Sequence, residues 1–396
     1  MLRPDTLAMT AMLALLTALG PLSTDLYLPS LPSIARDFAT GTAEVQFTLS
    51  VFLFGFAFGQ IFYGPLADRL GRKPVLLGGL ALFLLASIMC ARASSIEMLI
   101  AGRFLQALGG SGPIVLGRAM VRDLYEGPRA GRELARMGMI MGLVPAFAPL
   151  IGSAIESWLD WRWCFWLCTV FAFGLAFVAI TRLPETLRRH AAHPASLKGY
   201  LGSFRILSAD PRFQAYVALV ALAYAGLFSF ISGSSFLLQE SYHLGPRGFA
   251  GSFSLMVVGY ISGTIAAQRL VDRRGLDGVI GLGVASLALG GVLMTGLTLI
   301  GTGSSLEITV PMMLYAFGVG LTMPQGQAAA MMPFPERAGA ASSLLGLVQM
   351  SLAGVVGVAV GNTVGLGRWP LPLAIALSGL AAFAIFHASA RLRAAR

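Results

Sequence analysis

Twelve times along its 396 residues the chain runs for roughly 20 residues with almost no charge: near 7–28, 46–66, 75–91, 96–117, 137–159, 163–181, 213–238, 249–267, 279–300, 308–324, 340–364 and 371–390. A run of that length, wound as a helix, crosses a hydrocarbon layer about 30 Å thick. Hydrocarbon offers backbone groups no water, so a crossing segment must satisfy its own N–H and C=O groups, as a helix does. A soluble fold would instead interrupt the runs with polar faces at helical spacing. Only 12% of residues are charged, against about 25% in soluble domains. The reading is an all-α membrane protein of twelve transmembrane helices.

The net charge of +10 would suggest nucleic acid in a soluble chain, but its distribution points elsewhere. With both termini placed in the cytoplasm, 22 of the 28 Lys and Arg residues fall on inner segments and five on outer ones (Arg36, Arg92, Arg162, Arg247, Arg368), with Arg103 inside span 4. That asymmetry is the positive-inside rule, and one miscounted span would scramble it. Cys90, Cys164 and Cys168 lie in or beside apolar runs and read as packing residues. No histidine stands near them at zinc spacing. The first run follows one Arg and no small-residue cleavage site, so it reads as a retained span.

A polar interval with Pro184, Pro194, His190 and His193 divides the chain near its middle. It makes residues 1–182 an N-terminal six-helix half, 183–212 a cytoplasmic linker and 213–396 a C-terminal six-helix half. GPLADRLGR (64–72), after span 2, is echoed by RLVDRRG (269–275), after span 8, so that Asp68, Arg69 and Gly71 match Asp272, Arg273 and Gly275 at an offset of 204. Pseudo-symmetric halves around a substrate path are a recurring transporter plan.

Two charges stand inside apolar runs. Arg103 precedes Arg118 by fifteen residues on a descending helix, about 22 Å above the inner boundary, and Asp25 follows Asp5 by twenty on an ascending one, about 30 Å above its start. The plain readings are a boundary carboxylate ahead of Pro29 and an arginine snorkelling outward. The other reading pairs them in the outer half. GPLADRLGRKP (64–74) is at least a tight basic loop; a sharper reading has Gly64 admit a close helix approach and Asp68 face a helix N-terminus.

GPLADRLGRKP resembles the signature between spans 2 and 3 of the major facilitator superfamily. RFLQALGGSG (103–112) resembles the span 4 motif of its proton-coupled drug antiporters, with Arg103 at the family's membrane arginine, and GLVPAFAPLIG (142–152) resembles the antiporter motif of span 5. Together with STDLYLPSLP (23–32) and VRDLY (121–125), these look most like the bicyclomycin and chloramphenicol exporters, the Bcr/CflA group. Ala148 and Ser153 depart from the motif's glycines while Gly142, Pro145, Pro149 and Gly152 match.

The resemblance implies a multi-pass protein of the bacterial inner membrane, a working monomer exporting drug-like small molecules in exchange for protons by alternating access. Asp25 and Arg103 then couple the proton, because a buried carboxyl resists charge until a cation restores it. Gly64, Asp68, Arg69, Gly71 and Arg72 serve the gate, and the span 5 motif shapes the interface between halves. Candidate cavity residues, polar or aromatic within spans, are Tyr27, Phe56, Gln60, Gln106, Tyr224, Phe228, Tyr315 and Gln349. The C-terminal spans read as free of acidic residues apart from Glu240 at an outer end, so coupling is expected in the N-terminal half. No Walker sequence, catalytic cluster, cofactor motif or metal spacing is present, so the partners are substrate, protons and the lipid bilayer, without nucleic acid. A proton-coupled or facilitative transporter of a natural metabolite is the second reading.

Overall fold

The computed structural model describes residues 6–125, 127–187, 197–301, 303–334 and 337–394; Asp5, His190, His193 and the basic residues Arg3, Arg188, Arg189 and Arg396 lie outside them. Among the described residues all regular structure is helical: α1 (Leu7–Asp25), α2 (Leu31–Asp37), α3 (Thr42–Leu70), α4 (Arg72–Ala91), α5 (Ile96–Leu124), α6 (Gly127–Trp158), α7 (Arg162–Arg182), α8 (Leu197–Ala209), α9 (Pro211–Phe236), α10 (Pro246–Ile300), α11 (Leu306–Met331), α12 (Ala338–Thr363), α13 (Pro370–Ala388) and α14 (Ala390–Ala394). Side chains mark several starts. Ser95 accepts the Met98 N–H ahead of α5 (3.2 Å), and Asp210 accepts that of Phe213 (2.8 Å) ahead of α9, where Pro211 occupies a first-turn position that needs no donor.

Ten helical segments among the described residues are long and apolar enough to cross a membrane. The first extends further than the apolar run suggests, over Leu7–Asp37. The runs at 249–267 and 279–300 lie within α10, 55 residues long, whose backbone leaves helical geometry at Gly275 (φ 68°, ψ 174°). The run at 137–159 belongs to α6, in which Leu143–Trp158 is a shorter apolar stretch among the described residues.

Two compact units result. One takes the described residues up to Thr40 with Val51–Gly199; the other takes Gly41–Ser50 with Tyr200 onward. Within the first, α7 buries Cys164, Cys168, Ala172, Leu175 and Ala179 and exposes Val170, Phe173 and Phe177. A bare aromatic stripe at helical spacing suits lipid rather than water. Close helix contacts rest on small residues in both units: a Cβ at Gly109 would stand 2.7 Å from the Gly79 carbonyl oxygen, and one at Gly318 the same distance from that of Gly283. All three cysteines are buried free thiols.

Candidate functional site

The first helix breaks at its carboxylate. Ser23 and Thr24 return their hydroxyls to the Gly20 carbonyl (2.9 and 3.2 Å), and α1 ends at Asp25. Pro29 and Pro32 bring no N–H to continue the ladder, so the chain passes through a short turn, Leu28–Ser30, into α2. All of this is buried, and the apolar segment runs on to Asp37 rather than ending at Asp25. It is 5% exposed, and its carboxylate accepts no hydrogen bond from a described residue. Against the break lies α6: a Cβ at Gly152 would fall on the Leu26 carbonyl oxygen and 3.4 Å from Pro29 Cδ. Gly152 thus admits the approach, which any side chain would block. Pro149, one turn earlier, is buried and Pro145 half-buried; Gly142 lies within the same helix.

Arg103, on α5, is completely buried rather than snorkelling. Its Nη1 donates to the Ser23 carbonyl (3.0 Å) and to Gln106 Oε1 (2.5 Å), and Gln106 donates onward to Ser87 Oγ (2.8 Å). Three rings surround the guanidinium, whose carbon is 4.2 Å from the Phe52 centroid, 4.6 Å from that of Tyr27 and 5.8 Å from that of Phe165. Nε and Nη2 have no hydrogen-bond partner among the described residues. No ion pair within 4 Å joins Arg103 to Asp25, although its charge acts on that carboxylate. The site therefore holds a guanidinium and a carboxyl group as neighbours with no ion pair between them. Phe56 stacks on Phe52 (5.9 Å) and meets Gly20, and Gln60 is half-buried one turn further along α3.

The loop signature builds a different network. Asp68 pairs with Arg72 (2.6 Å), whose Nε also donates to Asp123 (3.0 Å). Glu185 faces a helix N-terminus, accepting the backbone N–H groups of Arg72 and Lys73 at the start of α4 (3.0 Å each). Burial pushes the Glu185 carboxyl up, but four backbone N–H groups, of Leu187, Lys73, Arg72 and Thr186, outweigh it and hold it below its ordinary value. Lys73 Nζ reaches the carbonyls of Ile180 and Leu183 (2.9 and 2.8 Å), fastening the first residues of the predicted linker to α4. Gly71 takes φ 99°, and Gly275 repeats the positive φ at the matching place in the second unit. A Cβ at Gly64 would meet nothing within 4 Å among the described residues, and Arg69 is exposed.

In the second unit the candidates scatter. Tyr315 is buried against Ala223 and Gly226, Tyr224 stacks on Phe228 at 6.3 Å, and Gln349 is buried on α12. The absence of further acidic residues there is corrected: Glu307 falls in the first turn of α11, is 3% exposed, and accepts from the Tyr242 hydroxyl. Phe52, Phe165, Glu185 and Glu307 are the residues that sequence reasoning missed. Phe52 carried one usable signal, standing one helical turn before Phe56.

A buried arginine beside a buried, unpaired carboxylate in a bundle of membrane-length helices belongs to a class that moves solutes across bilayers. Residues 13–358 match the family model of the Major Facilitator Superfamily, and the chain is a member of that family of transporters. It is 30% identical over 371 residues to multidrug resistance protein D of Escherichia coli (93% of this chain, 92% of the relative). To the bicyclomycin resistance protein homolog of Haemophilus influenzae it is 28% identical over 354 residues (88% of each). The fold is similar to that of the E. coli xylose transporter XylE in a partially occluded, inward-open conformation, with a TM-score of 0.72 at 14% identity over 97% of each chain.

Proposed function

We propose that this chain exports drug-like molecules in exchange for protons by alternating access, with twelve spans in two six-helix halves, residues 1–182 and 213–396, joined by the linker 183–212. Two helices crossing within α10, on either side of Gly275, and α6 as one more bring the ten apolar segments to twelve. The charge asymmetry supports cytoplasmic termini in a bacterial inner membrane, and the family resemblance supports a working monomer. The names carried by the relatives support drugs as the cargo.

The observation that carries the reading is the unpaired couple of Asp25 and Arg103. An unpaired carboxylate in a dry site is stable with a proton and unstable without one unless a cation approaches, so proton and cation exchange at one position. A proton entering across 100 mV releases about 2.3 kcal/mol, and each pH unit about 1.4 more, enough to concentrate a drug outside many-fold. Asp68, Arg69, Gly71 and Arg72 are assigned to the gate, and Gly152 to the hinge beside Asp25.

The test is drug-evoked proton flux in liposomes under an imposed pH gradient, for chloramphenicol-like and cationic compounds. Wild type is expected to respond and Asp25→Asn to lose the response. Retained flux in Asp25→Asn removes that carboxylate from coupling. No flux with any drug in the wild type transfers the reading to a metabolite transporter.

A further inference from the structure

The three rings around Arg103 form a box that a side chain of the protein itself occupies. Tyr27, Phe52 and Phe165 are each no more than 2% exposed and come from three separate elements, the turn after α1, α3 and α7. Such a cage around a flat cation is the geometry by which proteins bind organic cations, through the negative faces of the rings. Only one of the three guanidinium nitrogens is hydrogen-bonded. A guanidinium held by aromatic faces, with Nε and Nη2 unsatisfied, is weakly held compared with one in an ion pair.

We propose that this box is a binding subsite for flat, delocalised organic cations of the amidinium or guanidinium type, and that Arg103 is its intramolecular competitor. The inference rests on the exporter reading above. With a proton on Asp25, nothing draws Arg103 away and it fills the box. When Asp25 releases the proton, the carboxylate attracts the guanidinium, which already contacts the Ser23 carbonyl two residues away. The pair that forms leaves the box to the substrate cation, and rebinding of the proton returns Arg103 and expels that cation. Proton and substrate exclude one another through the movement of one side chain.

Among the described residues the further charge near the box is that of Glu156. On α5 Gln106 is neutral, and α3 presents Phe52 and Phe56; Cys90 on α4 and Cys168 on α7 lie within the field of Arg103, and Cys164 on α7 lies in that of Glu156 on α6. Arg103 is the charge that acts on Asp25. Tyr27 sits at the break that Gly152 shapes, so movement at that hinge moves one wall of the box.

The experiment measures pentamidine affinity for the purified full-length protein in detergent at pH 6 and pH 8, with the corresponding bis-amide as uncharged control. Wild type is expected to bind pentamidine more tightly at pH 8 than at pH 6 and to bind the bis-amide more weakly. Phe52→Leu and Phe165→Leu each lose about tenfold in affinity, the order expected for a desolvated cation–π contact, while Phe52→Tyr retains it. Arg103→Ala, which opens the box, binds pentamidine about tenfold more tightly than wild type at pH 6. Unchanged affinity in both Leu variants, weaker binding in Arg103→Ala, or no binding to wild type overturns the proposal. Binding through the box without drug-evoked proton flux in liposomes overturns the exporter reading and leaves the box standing; flux with intact binding in the Leu variants does the reverse.

Discussion

Both units bury charge, and they treat it in opposite ways. In the second, Arg393 has a side chain 2% exposed and spends every arm: Nη1 on Asp277 (2.6 Å), Nη2 on the Phe386 carbonyl (2.6 Å), Nε on Ser389 Oγ (3.1 Å), with its plane over the Phe386 ring. Tyr216 completes Asp277 from α9 at 2.7 Å. In the first, Arg103 is more deeply buried and leaves two nitrogens unsatisfied beside a carboxylate that takes no hydrogen bond. A saturated buried ion has one good position; an unsaturated one has reason to move when its neighbour's charge changes. The first arrangement fixes helices to one another, and the second suits exchange.

The comparison breaks if the saturated network proves dispensable. Asp277→Ala leaves both Arg393 and Tyr216 without their acceptor, and the expected loss is about 2 kcal/mol, reduced from the cost of a fully buried pair because the Asp277 side chain is 44% exposed. Arg393→Met alone is expected to cost about the same, and the double variant clearly less than the sum, because each single change strands what the other removes. Thermal unfolding of the four proteins in detergent measures the coupling. Additive losses would mean that Arg393 is held by Ser389 and Phe386 without help from Asp277.

Legibility in the sequence followed the same division. The repeat at Gly71 and Gly275 was readable because a positive φ at a helix junction demands glycine, and chemistry that demands one residue leaves a mark. Asp25 and Arg103 were readable because charge in an apolar run is conspicuous. Phe165 was not, and Phe52 only through its place one turn before Phe56, since an aromatic that faces a cation and one that faces lipid look alike until the helix face is known. Gly64 and Gly152 likewise read alike, yet only the second meets a neighbour's backbone. Glu185 passed as linker because its partners are backbone N–H groups, which no side-chain pattern announces. Glu307 fell one residue outside the apolar run beginning at 308, and the hydroxyl it accepts from belongs to Tyr242, 65 residues away.

A smaller effect sharpens the contrast within the first unit itself, where Glu185 is as well satisfied as Asp25 is not. Glu185→Gln removes an anion from the start of α4 and is expected to cost about 1 kcal/mol at pH 7. Since the folded protein holds this carboxyl below its ordinary value, the contribution is fully present above the unfolded value of about 4.3 and disappears as pH falls through the folded one. Melting curves of wild type and variant should therefore lie apart at neutral pH and converge below roughly pH 4. A constant gap down to pH 3 would assign the effect to packing instead of charge.

The smallest expected change in stability is the most discriminating. Arg103→Met keeps length and apolar volume, fills the space between Tyr27, Phe52 and Phe165, and removes a cation with two nitrogens lacking partners. Replacing a poorly compensated buried charge with a well-packed apolar side chain is neutral or stabilising, so the melting temperature should move by the equivalent of less than about 1 kcal/mol in either direction. The same replacement at Arg393 should cost about twice that or more. Drug-evoked proton flux should vanish in Arg103→Met and persist in Arg393→Met, because only the first removes a charge that has somewhere to go. If the two variants melt alike and transport alike, satisfaction of hydrogen bonds does not separate the working charge from the structural one in this fold.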